Sequence, residues 1–257
     1  MFHASPTYQP LIREIGLDAD AVFEDPRIIV WRDIPERQNC TLDAELVDGR
    51  KIRLHVKRYQ PVRAKLSPAA EEARGIQLLE SETIPTTPLV GWGSLPDGRS
   101  FVISEDLGNH RAADKLIERG EITFDQLLAP TAEMAARLHA KNLHHRDLYL
   151  CHFFINPTDP TLGLRLIDAA RVARLANFLT RRRWIVKDLA QFWYSTLGAG
   201  ATDAQRHQWL DIYAKARGLQ SIASLTRAIQ RKANWIARHD ARLKSRQPTR
   251  NVSIPGA

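Results

Sequence analysis

Alternating polar and apolar residues predict that the first part of the chain is rich in β-strands. Strands are predicted over residues 27–32, 40–47 and 51–59, and Asp48-Gly49 is typical of a hairpin turn joining the last two. The third strand has an apolar face and a polar face, with Ile52, Leu54 and Val56 on the first and Arg53, His55 and Lys57 on the second.

A helix and two more strands follow. Ser67-Pro68 and the alanine- and glutamate-rich stretch after it are typical of a helix start. Residues 83–109 then predict a loop, a strand, a turn at Pro96-Asp97-Gly98 and a further strand over residues 101–104.

The pattern then changes to helical spacing. Residues 124–140 carry apolar side chains at intervals of three and four, two short apolar segments lie at 152–156 and 164–168, and helices are predicted from about residue 181 to about residue 246. This order predicts an α+β architecture of two lobes. We expect a small β-rich lobe over residues 1–107, a larger helical lobe over residues 108–246 and a disordered tail over residues 247–257.

Composition excludes several classes of protein. The 257 residues are 44% hydrophobic and 26% charged, as in ordinary globular proteins. The sequence predicts neither a transmembrane helix nor a secretory signal, because it has no run of 18 uncharged apolar residues and no basic start followed by an apolar run. Cys40 and Cys151 suggest no disulfide framework and no zinc site, so we expect a reducing, cytoplasmic setting.

The net charge of +8 is concentrated near the C-terminus. From Ser221 onward, eight basic residues face one acid, Asp240, which leaves a net charge of +7 there. This segment is either a solvated helix face or a surface for anionic partners such as phospholipid head groups, phosphorylated glycans or nucleic acid. Its apolar residues recur every three or four positions and predict a face that packs on the helical lobe, with a membrane-surface role as the alternative: Ile222, Leu225, Ile229, Ala233 and Ile236.

Lys57 is the candidate for holding the phosphates of a nucleotide. It stands near the end of the alternating strand, and Glu71 and Glu72 follow in the first turn of the next helix. A carboxylate on that helix can pair with the lysine and fix an ammonium group that would otherwise sample many rotamers. Of the two acids we favour Glu72.

Two aspartates in the helical lobe are the candidates for the chemical step. His145-Arg146-Asp147-Leu148 follows a long amphipathic helix, and Asp168 comes directly after the apolar pair Leu166-Ile167. Phosphoryl transfer from ATP requires a carboxylate that orients the attacking hydroxyl and another that holds Mg²⁺, whose coordination the phosphates complete. We therefore assign Asp147 to the hydroxyl and Asp168 to the metal.

His152 is the second candidate metal residue. It stands five residues after Asp147, where protein kinases carry a metal-binding Asn. Imidazole is a poorer ligand for Mg²⁺ than an amide oxygen, so hydrogen bonding to a phosphate and a structural role in the loop stay open as alternatives.

The segment from His145 to Phe153 resembles the signature of the lipopolysaccharide core kinases of the Kdo/WaaP family. Leu166-Ile167-Asp168 with Arg171, Arg183-Trp184 and Lys187-Asp188 support the resemblance, which extends from about Val56 to Thr196. It implies a protein-kinase-like fold whose first lobe binds ATP and whose second lobe is catalytic. It also implies a bacterial cytoplasmic enzyme, peripheral to the inner membrane, that phosphorylates a sugar hydroxyl (heptose or Kdo) of an anionic glycolipid.

By this resemblance Lys57, Glu72, Asp147 and Asp168 take the roles given above, and Asp188 is expected to be a buried acid that braces the catalytic loop. Glu105 and its neighbours mark the connection between lobes that binds adenine through its backbone.

Three departures from related kinases stand out. The segment between the first two strands, residues 33–40, has no glycine, so the glycine-rich phosphate loop is missing. Ala169-Ala170 follows Asp168 where related enzymes often have Leu-His, and His55 occupies a strand position that is usually small or apolar next to adenine.

The sequence thus predicts in-line transfer of the ATP γ-phosphoryl group to a sugar hydroxyl, with Mg²⁺ as cofactor. Arginines after Asp168 are candidates for an anionic acceptor: Arg171, Arg174, Arg181, Arg182 and Arg183. The alternatives are an antibiotic-type phosphotransferase and an ATP-binding protein without activity on the same fold. Nucleic-acid binding is not expected, because the chain carries no signature for it.

Overall fold

The computed structural model describes residues 1–175 and 177–246 and divides them into two compact units. The first contains Met1–Leu78 and Thr87–Gly108, and the second contains Leu79–Thr86 and the described residues from Asn109 onward. The bounds predicted for the two lobes stay a prediction. The tail predicted as disordered, residues 247–257, lies outside the described residues.

The first unit is built on one six-stranded antiparallel sheet with the order β1-β5-β6-β4-β3-β2. Its strands are β1 (Phe2–Ala4), β2 (Ile28–Ile34), β3 (Arg37–Glu45), β4 (Lys51–Tyr59), β5 (Leu89–Ser94) and β6 (Ser100–Glu105). Its helices are α1 (Gln9–Glu14), α2 (Ala21–Glu24) and the greater part of α3 (Pro68–Ser81).

The predicted strands of the first unit are confirmed, with the first two shifted by a few residues. The predicted hairpin turn is present, and Gly49 adopts the positive φ of 82° that its turn requires. The sequence pattern did not predict β1, which pairs with β5 at the edge of the sheet. Gly93 permits this pairing, because a Cβ atom there would lie 2.3 Å from the carbonyl oxygen of Met1.

The central strand β4 fixes the backbone at Lys57 from both sides. Lys57 lies opposite Asn39 of β3 and Val102 of β6. Leu54 and Val56 of β4 are fully buried in the core of the unit, whereas the Lys57 side chain lies on the other face, as the alternation predicted.

The second unit is mainly helical. Its helices are α4 (Ala113–Glu118), α5 (Phe124–Ala140), α6 (Phe178–Gly198), α7 (Asp203–Ala216) and α8 (Ala223–Arg246). Thr123 and Thr202 begin α5 and α7 with capping boxes, which satisfy amide groups that a helix start leaves unpaired. Phe192 of α6 stacks on Trp209 of α7 with ring centroids 4.2 Å apart. The apolar face predicted for α8 packs inward, with Ile229, Ala233 and Ile236 buried.

Short strands fix both ends of the segment that carries Asp147. They are β7 (Arg111–Ala112), β8 (Leu143–His144), β9 (Phe153–Ile155), β10 (Arg165–Leu166) and β11 (Ala173–Arg174). β8 pairs with β11, and β9 pairs with β7 and β10. The 145–152 loop therefore starts and ends in paired backbone, and Asp168 follows β10 directly.

The predicted α+β, kinase-like fold is confirmed, with a sheet-rich first part and a helical second part. Within the described ranges, no helix is both long enough and apolar enough to cross a membrane.

Candidate active site

In the first unit, Lys57 pairs with Glu72. The Lys57 Nζ atom donates to Glu72 Oε1 at 2.6 Å, and the Tyr59 hydroxyl donates to Glu72 Oε2. The Glu72 side chain is 6% exposed and that of Lys57 is 24% exposed. Glu71, the other acid considered, points to solvent. Tyr59 was missed by sequence reasoning, although its position two residues after Lys57 places both on the same face of β4.

The remaining residues expected around a nucleotide lie at the end of β6 and in the neighbouring strands. Glu105 accepts a hydrogen bond from the Tyr8 hydroxyl, and its N–H donates to the Pro88 carbonyl at 3.1 Å. His55 contacts Asp106, with 2.7 Å between Nε2 and Oδ2. Burial opposes the charge on Asp106, but the hydrogen bonds from His55 and from Gly108 N–H, together with the charges of His55 and Arg53, outweigh it and lower the pKa of Asp106.

The segment without glycine forms a tight hairpin. β2 and β3 are joined by a two-residue turn in which Ile34 lies opposite Arg37. This short turn replaces the glycine-rich loop that protein kinases fold over the phosphates. The hairpin itself therefore supplies no extended phosphate-covering loop.

In the second unit, Asp188 of α6 holds the backbone of the loop before Asp147. It is fully buried, and its two carboxylate oxygens accept hydrogen bonds from the N–H groups of His145 and Arg146, each at 2.7 Å. His139 of α5 lies 3.3 Å away through its Nε2 atom. Burial opposes the charge of Asp188, but the hydrogen bond from His139 and the electrostatic contacts with His139 and His145 together outweigh it and lower the pKa. These contacts agree with the position expected for Asp188.

One face of α6 continues this support along the loop. Its contacting side chains recur at helical spacing: Trp184, Asp188, Gln191 and Ser195. The Trp184 ring lies 4.3 Å from the Arg146 guanidinium carbon, and the Ser195 hydroxyl oxygen accepts from Leu150 N–H at 2.8 Å. Arg146 has a φ of 70°, an uncommon conformation for a residue with a side chain, and these contacts hold it there.

Asp147 is oriented from two directions. Gln191 Nε2 lies 3.4 Å from Asp147 Oδ1, and Arg171 Nη1 lies 3.2 Å from the same oxygen. The Asp147 side chain is 22% exposed, so it is held and still accessible to a substrate. Gln191 was missed by sequence reasoning; its spacing of three from Asp188 on a helix was the signal that could have found it.

Asp168 and His152 lie near each other in the second unit. Asp168 has a φ of 61°, and its Oδ2 atom lies 3.6 Å from His152 Nε2. The other ring nitrogen of His152, Nδ1, lies 2.6 Å from the Asp147 carbonyl oxygen, which can only accept, so Nδ1 carries a proton. Burial disfavours a charged imidazole, but Cys151, Asp168 and the Asp147 carbonyl raise the pKa of His152 to about 9.

The Asp168 carboxylate is the oxygen donor that Mg²⁺ prefers, whereas His152 offers only its Nε2 atom, because its Nδ1 is bound to the Asp147 carbonyl. In the part of the chain that the structure describes, no three His, Cys, Asp or Glu side chains form a ready-made metal cluster. A Mg²⁺ ion at Asp168 would therefore need phosphate oxygens to complete its coordination.

The five arginines considered for an anionic acceptor separate into two groups. Arg174 pairs with Glu82 at 3.1 Å, and Arg181 donates to Asn142 Oδ1 at 2.5 Å. Arg171, Arg182 and Arg183 instead line a pocket beside α6. The sequence does not distinguish these groups.

The fold, the contacts that hold Lys57 in the first unit and the contacts that hold Asp147 in the second unit define a kinase-like phosphotransferase. A family model described as the lipopolysaccharide kinase (Kdo/WaaP) family matches residues 27–213, which is most of the chain. The chain belongs to this family, and it is an ATP-dependent phosphotransferase that uses a sugar hydroxyl as acceptor. This membership disfavours the antibiotic-type and inactive alternatives.

Curated relatives agree with the family match. The lipopolysaccharide core heptose(I) kinase WaaP of Escherichia coli strain K12 is 27% identical over 179 residues, which cover 64% of this chain and 67% of that protein. The enzyme of the same name from Pseudomonas aeruginosa strain PAO1 is 26% identical over 238 residues, covering 79% and 84%. A further heptose(I) kinase WaaP from Escherichia coli is 30% identical over 129 residues, covering 46% and 47%.

Proposed function

We propose that this protein transfers the γ-phosphoryl group of ATP to a heptose or Kdo hydroxyl of the lipopolysaccharide core. The family match carries this proposal, because it spans residues 27–213 and includes every residue to which a catalytic, nucleotide-binding or metal-binding role is assigned. The relatives named as heptose(I) kinases favour heptose as the sugar.

Asp147 orients the acceptor hydroxyl in this proposal. Arg171 and Gln191 both donate to its Oδ1 atom, so we assign Oδ2 to the substrate proton. The sugar oxygen forms a bond to the γ-phosphorus, the bond to the β-phosphate oxygen breaks, and ADP leaves. The hydroxyl proton passes to Asp147 late in the step, because a loose transition state requires little base strength.

Lys57 neutralises phosphate charge, and Glu72 with Tyr59 keeps its ammonium group in place. Glu105 marks the backbone that receives adenine. Asp168 is the residue we assign to Mg²⁺, which when bound supplies positive charge to the phosphate oxygens. For His152 the metal role stays a prediction, and its bond to the Asp147 carbonyl favours a role in holding the loop.

We also propose that the protein acts at the cytoplasmic face of the inner membrane, bound peripherally. The support is α8, whose Arg227, Arg231, Arg238 and Arg242 are exposed while its apolar face packs inward. These exposed arginines attract anionic lipid head groups by charge, so flotation of the protein with anionic vesicles should weaken at high salt.

Asp147→Asn tests the catalytic assignment. Asn keeps the shape of the side chain and a carbonyl oxygen for Arg171, but it cannot accept the proton. Transfer of labelled phosphate to core glycolipids should fall by about 10²–10⁴-fold, while ATP binding by calorimetry is retained.

Asp211→Asn is the matched control, because it makes the same chemical change at an exposed position of α7. Undiminished transfer in Asp147→Asn would contradict the assignment. Absence of transfer by the wild type to any core glycolipid would contradict the proposed function itself.

A further inference from the structure

A pocket of about 630 Å³ lies in the second unit where α6 faces α8. The lining comes from α6, from α8 and from the segment after Asp168: Arg171, Arg182, Arg183, Trp184, Val186, Lys187, Ala228, Lys232 and Trp235. We call this the α6–α8 pocket. Its size is that of a ligand site rather than of a packing defect.

The lining carries strong positive charge. Five of these nine described residues are arginine or lysine, and none is acidic. Lys187 donates to the Arg146 carbonyl at 2.6 Å, and Arg182 donates to the Ser224 carbonyl at 3.3 Å. These carbonyl partners are neutral, and the nearby carboxylates of Asp147 and Asp188 offset only part of the positive charge.

The lysines show the effect of this crowding. Burial, together with the nearby Arg171 guanidinium, lowers the pKa of Lys187. Burial and the Arg183 guanidinium lower the pKa of Lys232 in the same direction. Burial is the larger cause of both shifts, and repulsion by the neighbouring guanidinium groups adds to it; an anion in the pocket would oppose both effects.

Two tryptophans give the pocket an apolar part as well. Trp184 is stacked against His144, with ring centroids 5.0 Å apart. Trp235 is 50% exposed, and Lys232 Nζ lies 3.6 Å from the centre of its ring. An aromatic face next to cations suits a ligand that has a flat apolar surface and an anionic group, as a sugar ring with a carboxylate or phosphate does.

The pocket is connected directly to the catalytic loop. Arg171 lines the pocket and also contacts Asp147 Oδ1, and Lys187 lines it and holds the carbonyl of Arg146. A ligand in the pocket would therefore lie beside the carboxylate that we assign to the acceptor hydroxyl.

We propose that the α6–α8 pocket binds an acidic sugar unit of the acceptor, through its carboxylate or phosphate group, next to the sugar that receives the phosphoryl group. This inference rests on the proposed function. It identifies Arg182, Arg183 and Lys232 as residues that determine acceptor specificity.

Calorimetry with lipid-free core oligosaccharides tests the pocket without the chemical step. One probe retains carboxylated sugars but no phosphate, a second retains phosphate but no carboxylate, and a third has neither. The wild type should bind at least one acidic probe, and Arg183→Gln and Lys232→Gln should each raise that Kd about tenfold. Binding of the neutral probe should be the same in all proteins.

Lys215→Gln is the matched control, because it removes one positive charge from an exposed position of α7 outside the pocket. Equal affinities in wild type and both pocket variants would overturn the inference, and so would an equal loss in Lys215→Gln. If the inference is correct, Lys232→Gln also raises the KM for the acceptor about tenfold and leaves the KM for ATP unchanged.

The two possible failures remain distinguishable. If the wild type transfers phosphate and the pocket variants bind and react as it does, only the inference about the α6–α8 pocket is contradicted. A wild type that transfers no phosphate to any core glycolipid would contradict the proposed function, whatever the binding result.

Discussion

Two buried carboxylates, one in each unit, hold functional groups in different ways. Glu72 holds a side chain, because it accepts from Lys57 Nζ and from the Tyr59 hydroxyl. Asp188 holds a backbone, because it accepts from the N–H groups of His145 and Arg146. Asp188 is also bound by His139 from a second helix and has no exposed side-chain surface.

The difference lies in what moves when the carboxylate is lost. A lysine without its partner keeps its backbone in β4 and only samples more rotamers. A loop without Asp188 leaves one buried and one partly buried N–H group unpaired and releases the unfavourable φ of Arg146, so the position of Asp147 itself changes. We therefore expect Glu72 to govern nucleotide affinity and Asp188 to govern both stability and turnover.

Asp188→Asn should produce the largest effect of the three changes that test this comparison. The amide removes the charge and turns a donor toward the donors of the loop, so we expect the free energy of unfolding to fall by about 2–4 kcal/mol. Turnover should fall about 100-fold or more, because the Asp147 carboxylate loses its position. Urea unfolding and phosphate-transfer rates measure the two effects. Unchanged stability would show that the loop does not depend on this carboxylate.

Glu72→Gln should act mainly on the nucleotide. The neutral amide still accepts from Tyr59 but no longer fixes the charge of Lys57, so we expect the KM for ATP to rise about tenfold. Stability should fall by only about 1 kcal/mol. Glu71→Gln, an exposed neighbour on the same helix turn, is the control and should change neither quantity. Equal changes in Glu72→Gln and Glu71→Gln would show that the pairing of Glu72 with Lys57 does not govern nucleotide affinity.

His144→Phe should give the smallest effect, visible only as a dependence on pH. Burial lowers the pKa of His144 to about 4, so below its ordinary value of 6.5 the unfolded chain binds a proton that the folded protein does not. Folding stability is therefore lost as pH falls from about 6.5 toward 4, by roughly 1 kcal/mol between pH 7.5 and pH 5.5.

Phe keeps a ring to stack on Trp184 and has no proton to bind, so this part of the acid loss should disappear. Urea unfolding at pH 7.5 and pH 5.5 measures it. An identical pH dependence in both proteins would place the acid sensitivity elsewhere in the molecule.

Sequence reasoning reached the chemical residues of the candidate site but not most of their supports. The three residues Lys57, Asp147 and Asp168 were identified from a strand, a loop motif and an apolar run. Gln191 and Ser195 were not, although they share a helix face with Asp188. A polar residue on a helix has no distinctive sequence signal until it is known which loop that face meets.

Glu71 and Glu72 are adjacent residues of the same type, so residue type alone does not decide which of them faces Lys57. They differ by about 100° around α3, and the buried face of Ala69, Ala73 and Ile76 turns Glu72 inward. The periodicity that defines this face is present in the sequence and supports the choice of Glu72. The contact itself required β4 to place Lys57 within 2.6 Å.

By itself the sequence determined the strand that carries Lys57, the helices of the second part and the order of the charged groups, because periods of two and 3.6 residues are properties of the local backbone. The tertiary structure decided which charged groups meet. Arg171, Arg182 and Arg183 line the α6–α8 pocket while Arg174 and Arg181 bind Glu82 and Asn142, although all five lie within a few turns of one another in the chain. Long, flexible side chains reach several partners from one backbone position, and only the packing of the helices determines which of them is near.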